Sequence, residues 1–286
     1  MADIGHEVGA HPLHHTFACA VRQHHQRLAA IRQGADVVCG MARLDYRDAI
    51  SMPKILRTDE KKEARLMAIQ DQIASAIDPD PADPWPRHQH HSGASIALRA
   101  ASLRQAGGAP HVAVGEDRAL IEKLQLVDAR IRHAPEIAVR VSGRLEGRAD
   151  GGMAATLKRR TLQRDMLTDA RLEPTVDAYR RVLAKARLRA VFLGHQDADR
   201  LGEDLLISRR AVRGALHAAY FGAAWAEIQR LSPVLQRRRV AFSNLRREIR
   251  QALMLRDQLQ AELNAPRKMH VLRDGEGNLS SGENAH

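Results

Sequence analysis

Apolar residues along this chain change their spacing several times, and each change marks an element. Leu66, Ile69, Ile73 and Ile77 recur at three- and four-residue intervals, which puts them on one face of a helix. Leu120, Leu124, Val127 and Ile131 do the same. They predict a second helix that starts at or just after Asp117 and carries Ile131 on its face. The run Asp36-Val37-Val38-Cys39-Gly40 reads as a buried strand, and the alternation of Ile137, Val139 and Val141 as a half-buried one. Between residues 78 and 86, Pro79, Pro81, Pro84 and Pro86 prevent both a helix and a ladder, so this stretch is a loop. Pro174 stands at a first helical position after a break near Leu172 and Glu173. From Ile228, apolar residues recur at Leu231, Leu235, Phe242, Leu245, Ile249 and Ala252. That is a heptad-like pattern with the charge of Arg238 on its seam. It fits a helix packed on its own domain, a coiled-coil contact between protomers, or a basic helix on an anionic membrane.

These elements divide the chain. Residues 1–27 form an atypical segment rich in histidine: His6, His11, His14, His15, His24 and His25 all lie there. Such a tract can bind metal, but its spacings do not repeat and no Cys or carboxylate set accompanies it. Residues 28–150 mix strands and helices in an order that suits part of an α/β sheet. Residues 151–266 read as a helical C-terminal region, and residues 267–286 as a disordered polar tail.

Composition narrows the function classes. Hydrophobic residues make up 44% of the chain but aromatics only 3%, so Ala, Leu, Val and Ile must fill the core. No run of about eighteen apolar residues predicts a membrane-crossing helix, and the start lacks the apolar region of a secretory leader. Cys19 and Cys39 give neither a disulfide framework nor a zinc pattern, so a reducing cytoplasm is the expected compartment. A net charge of +11 and a pI near 10.4 favour anionic partners. Arg237, Arg238, Arg239, Arg246, Arg247 and Arg250 concentrate that charge in one stretch. Nucleic acid is still not the expected partner, because no zinc finger, RNA-binding signature or recognition-helix pattern occurs and Phe and Tyr are few.

The chemistry-bearing feature is Gly115-Glu116-Asp117-Arg118. A carboxylate fixed at a helix start, beside a flexible turn, can serve as general base toward a substrate hydroxyl; equally, Asp117 can simply cap its helix. Other candidates surround it in the sequence. Ser92, Gly93 and Ala94 are small enough to let a ligand approach the backbone, or form a tight turn into a strand. Arg118 can hold a phosphate or pair with Glu116. Arg144 and Arg148 lie in a Gly-punctuated stretch and suit the oxygens of a diphosphate. His88, His90 and His91 can orient an acceptor or belong to a polar loop.

The ordered set of these segments resembles the second half of family-2 glycosyltransferases, which have the GT-A fold. The resemblance rests on Gly34-Ala35-Asp36-Val37-Val38-Cys39-Gly40, Asp83-Pro84-Trp85-Pro86-Arg87-His88, Ser92-Gly93-Ala94-Ser95 and Gly115-Glu116-Asp117-Arg118. It continues through Arg132-His133-Ala134-Pro135, Val141-Ser142-Gly143-Arg144-Leu145-Glu146-Gly147-Arg148 and Gly151-Gly152-Met153. It covers a little under half of the chain and implies an α/β fold: an incomplete, Rossmann-like GT-A sheet followed by helices. The implied reaction moves a sugar from a nucleotide-diphosphate sugar to an acceptor hydroxyl with inversion. The Glu116–Asp117 pair would supply the catalytic carboxylate, with Asp117 as base, and residues 92–94, Arg118, Arg144 and Arg148 would bind substrate.

The family also implies a divalent metal, Mg or Mn, held by an Asp-x-Asp motif that ends a nucleotide-binding βαβ half upstream. Only about thirty residues precede Gly34 here, too few for such crossovers, so the sequence reads as truncated and the metal ligands as missing. Asp197-Ala198-Asp199 and Gly202-Glu203-Asp204 lie downstream of Asp117 and read as helix-surface or loop residues. Two functions therefore stand at this point. One is an inverting transferase. The other is an inactive remnant acting as a basic helical interaction or nucleic-acid-binding protein. The C-terminal helices offer a contact to a second copy or another partner.

Overall fold

A computed structural model of the chain describes residues 12–147, 151–163, 165–196 and 198–264. At its centre residues 37–39 are fully buried and begin strand β1 (Val37–Leu44). This strand runs parallel to β3 (Ile131–Val141) and antiparallel to the short β2 (Ile96–Leu98), in the order β2-β1-β3. Burial on both faces explains why residues 37–39 show a continuous apolar run rather than alternation. Val37, Cys39 and Ile131 pack against Ile121 and Leu124 of helix α5 (Glu116–Leu126). Val38, Ala134 and Ile137 face the other way, onto Ala30 and Ile31 of helix α1 (Pro12–Arg32). Two helices thus enclose a small mixed sheet, so the α/β class holds at that level.

Two expectations shift at β3. The strand begins at Ile131, ahead of the predicted alternation, and Ile131 is a strand residue and not the last of a helical stripe. Helix α5 ends at Leu126, with Ile121 and Leu124 as its buried residues. The β1–β3 register runs from Val37↔Ile131 to Gly40↔Ala134 and then jumps to Met41↔Ala138. Pro135 has no N–H to give to a ladder and falls among the skipped residues. The bulge brings β3 against Gly40, where a Cβ would stand 2.3 Å from Ser95 Oγ and 2.5 Å from Ile137 O.

The connection from β1 to β2 passes through α2 (Tyr46–Ser51), α3 (Lys54–Ile77) and the proline-bearing loop; α4 (Ala100–Gln105) then leads toward α5. Leu66, Ile69 and Ile73 of α3 are buried as their spacing predicts. Their partners are Leu172, Val240 and, from α11 (Leu245–Asn264), Leu245, Ile249 and Ala252. After α6 (Met153–Leu162), helices α7 (Thr175–Phe192), α8 (Asp199–Asp204), α9 (Arg209–Leu216) and α10 (Phe221–Leu231) enclose a further core around Leu188, Val212, Phe221 and Ile228. Pro174 is the N-cap of α7, one place before the first helical position.

The heptad reading of residues 228–252 does not survive. Helix α10 stops at Leu231, Pro233–Leu235 makes a 3-10 turn, the chain runs extended to Ala241, and a second turn at Phe242–Asn244 leads into α11. Pro233 cannot donate in a continuing helix. Leu235 joins the α7–α10 core while Leu245 and Ile249 join the α3 core, so the stripe divides between two interfaces. Helix α1 runs unbroken across residues 27 and 28, where the sequence places a boundary. The expected tail, residues 267–286, lies outside the described residues. Among those described, no helix is long and apolar enough to cross a membrane.

Candidate active site

Asp117 sits in the first turn of α5, whose N-cap is Gly115 at φ 78°. Free N–H groups and the helix dipole favour a carboxylate there. Its Oδ1 accepts from the backbone N–H of Arg118 at 2.7 Å. Its Oδ2 accepts from the N–H of Gly93 at 3.1 Å, 24 positions earlier in the chain. Gly93 opens the 3-10 turn Gly93–Ser95 that leads into β2. The structure therefore brings together Asp117 and residues 92–94. Asp117 is half-buried, whereas Gly93 and Ala94 are exposed, so the carboxylate borders solvent across a small-residue turn.

The other candidates disperse. Glu116 and Arg118 are exposed, and among the described residues no ion pair joins them. Arg144 is exposed beyond the end of β3, its N–H donating to Ser142 Oγ at 3.3 Å while Gly143 N–H donates to Asp48 at 2.6 Å. Arg148 lies outside the described residues. Behind the turn, Arg27 of α1 donates to Ser95 Oγ at 2.9 Å, and no local motif marks that residue.

A second polar group lies beside the first, and its extent was not foreseen. Asp83, 6% exposed, accepts at Oδ1 from the His133 backbone N–H at 2.8 Å and from Arg132 Nη1 at 3.3 Å. Its Oδ2 meets His133 Nδ1 at 2.8 Å, and His133 Nε2 meets His91 Nε2 at 3.1 Å. The rings of His88 and His91 lie 5.6 Å and 5.3 Å from that of His133, and His88 lies 5.4 Å from His90. His88 Nδ1 accepts from the His90 N–H at 3.0 Å. The segment after Trp85 is thus no solvated loop: His88 is buried and His90 and His91 are half-buried. His133 follows Ile131 by two positions and so shares its face of the sheet.

Electrostatics ties both groups to one place. Burial, with added repulsion from the carboxylates of Asp83 and Asp117, pushes the Cys39 thiol up to about 12, so both carboxylates face the middle of β1 and Cys39 stays protonated. Burial and the neighbouring His133 bring both His88 and His91 down to about 3, with Arg118 and Arg171 also acting on His91. Burial pushes Asp83 up, but the hydrogen bonds from His133 and the charge of Arg87 outweigh it and hold the carboxyl below its usual range. Asp71 is raised to about 6 by burial, against a hydrogen bond from Gln89.

Arg237, Arg238 and Arg239 of the C-terminal basic stretch are engaged internally, whereas Arg246, Arg247 and Arg250 lie exposed on α11. Arg237 reaches Glu173 at 3.4 Å, Arg238 reaches Asp177 at 2.6 Å, and Arg239 donates to the carbonyls of Leu167 and Thr168. Glu203 and Asp204 pair with Arg209 and Arg187, as surface residues do, while Asp197 lies outside the described residues. Among the described residues no group of three or more His, Cys, Asp or Glu side chains is arranged to hold a metal ion. Compared with known proteins, the chain matches no family model, and no curated protein or solved structure is significantly similar to it.

Proposed function

We propose that residues 28–150 form the acceptor side of an inverting family-2 glycosyltransferase and that Asp117 is its general base. One observation carries this reading: Asp117 Oδ2 is anchored by the Gly93 N–H at an open turn of small residues. A carboxylate held by one backbone donor on each oxygen keeps a lone pair for an acceptor hydroxyl. In the reaction, the hydroxyl oxygen attacks the anomeric carbon as the bond to the diphosphate breaks. The bonding pair leaves with the diphosphate, and the hydroxyl proton passes to Asp117. Exposed Arg118 and Arg144, with Arg148, are the side chains proposed to meet the diphosphate charge. The Mg or Mn expected of such enzymes would assist the same leaving group.

The test is calorimetric titration with uridine and guanosine diphosphate-sugars, with and without manganese, followed by transfer assays on Asp117→Asn. The variant is expected to melt as the parent does and to lose about 10²–10⁴-fold in transfer rate, the usual worth of a general base. Unchanged turnover rejects Asp117 as base. A cooperatively melting chain that binds no nucleotide sugar rejects catalysis by this polypeptide and leaves the remnant reading. That reading would rest on Arg246, Arg247 and Arg250, exposed on α11, since Arg237, Arg238 and Arg239 are engaged within the fold.

A further inference from the structure

We infer that Asp83, His133 and His91 form a chain of fixed tautomers that positions residues 92–94 and, through the Gly93 N–H, the carboxylate of Asp117. Its bearing on catalysis rests on the transferase reading; its geometry does not.

The hydrogen bonds dictate the protons. Asp83 offers only acceptors, so His133 Nδ1, at 2.8 Å, carries the proton between them. Both carboxylate oxygens are engaged, since Oδ1 takes the His133 N–H and Arg132. The His133 ring is thereby fixed in tautomer and orientation. Its Nε2 presents a lone pair to His91 Nε2 at 3.1 Å, which must donate. That leaves His91 Nδ1 bare, and His91 Nδ1 is a buried nitrogen without a hydrogen-bond partner. A lone pair left unpaired there costs less than a stranded N–H, so the orphan atom falls where the relay predicts it. Two residues on from His91 stands Gly93, whose N–H grips Asp117 Oδ2.

The surroundings keep His91 neutral. His91 faces His88, His133, Arg118 and Arg171, all of which disfavour a further proton on it. Around His133 and Asp83 stand Arg132, Arg87 and His88, with Cys39 on β1 and the carboxylate of Asp71 behind Gln89. A second proton on His91 would fall on Nδ1, a buried nitrogen with no acceptor beside it, so the arrangement with Nδ1 bare is the favoured one. These are positioning residues: none is placed against the reacting atoms.

Long-range nitrogen–proton NMR on the ¹⁵N-histidine-labelled chain tests this without substrate. At neutral pH, His133 is expected with Nδ1 protonated and Nε2 bare, and His91 with the opposite tautomer. Swapped tautomers, or a doubly protonated His133, would overturn the proposal. The Gly93 amide supplies the second readout. In the parent its shift should report the bond to the Asp117 carboxylate, and it should move in Asp117→Asn. In Asp83→Asn and in the milder His91→Phe, it should move and exchange with solvent about five- to tenfold faster, as expected for one weakened hydrogen bond. The Phe221 amide, held by Asp128 elsewhere in the fold, serves as the unchanged control. A Gly93 amide that stays put in a folded variant sinks the idea. Loss of nucleotide-sugar turnover in every protein, with the NMR result intact, would refute only the transferase reading. If transfer is active, both variants should lower kcat and leave the donor KM unchanged.

Discussion

Histidines 88, 90 and 91 are held neutral, and neutrality has a thermodynamic consequence. Burial is the first cause in each case, and it brings His88 and His91 down to about 3. In the unfolded chain an imidazole takes its proton near pH 6.5. Between those values the unfolded state binds protons that the folded state refuses, so stability is complete above about pH 6.5 and is lost progressively toward about pH 3. Asp71 acts in the opposite sense: raised to about 6, it takes its proton first in the folded state and adds stability as pH falls from there. Glu60 and Glu63, also raised by burial, join it. Asp83 and Asp169, held low, add to acid loss only below the ordinary carboxylate range near pH 3.9. The melting temperature should therefore decline from about pH 6.5 to pH 4, and His91→Phe should flatten that slope. Equal slopes in parent and variant would show that His91 is not buried neutral. Asp117 and Gly93 each stand out because they lie in short motifs, but the contact between them, 24 positions apart, leaves no local pattern. The histidine chain is not legible either, because its links join positions 42 and 50 residues apart and leave no period in the sequence.

Elements were read best where one face decides the fold. Helix α3 matches its stripe because Leu66, Ile69 and Ile73 all meet one partner surface. The α10–α11 stretch misled because its apolar residues serve two surfaces, and because a buried charge pair bends the chain between them. Arg181 of α7 grips Glu173 with Nε at 2.7 Å and Nη2 at 2.6 Å, and the same Nη2 donates to the Leu235 carbonyl at 2.6 Å. That bond fixes the turn after Pro233, and a side chain on another helix cannot be inferred from the local pattern. Glu173 is 3% exposed, so Arg181→Met would leave a buried carboxylate with only Arg237 nearby. Urea denaturation should report a loss of about 3 kcal/mol, the lower end for a broken buried pair because Arg237 compensates in part. The double variant Glu173→Gln/Arg181→Met should recover some of that loss. A loss below about 1 kcal/mol, the range of exposed pairs, would mean the pair is solvated in solution.

At the scale of the whole molecule, the helical region is fastened to the sheet where α10 starts against the end of α5. Asp128, at φ 53°, follows α5 and turns its carboxylate to the N-terminus of α10. Its Oδ2 and Oδ1 accept from the N–H groups of Phe221 and Gly222, both at 2.7 Å. The two backbones then approach so closely that a Cβ on Gly222 would stand 1.7 Å from the Gln125 carbonyl oxygen. Tyr220 OH accepts from Gln105 at 3.2 Å on the sheet side, and Arg189 of α7 forks onto Asp78 at 3.0 Å and 3.2 Å at the far end of α3. Arg189 also lies over the Phe221 ring, 4.2 Å from its centroid, so these contacts adjoin, and the sheet layer and the helices they join should unfold together. Calorimetry of the parent is then expected to show one transition. Gly222→Ala should move that transition down as a whole, by about 1–3 kcal/mol of overpacking. Asp128→Ala should lose about 0.5–2 kcal/mol, as a deleted N-cap does. Two transitions in the parent, with Gly222→Ala shifting neither, would mean that the α5–α10 contact does not couple the layers. The candidate site would then sit on an independently folding sheet unit that could be expressed and titrated by itself.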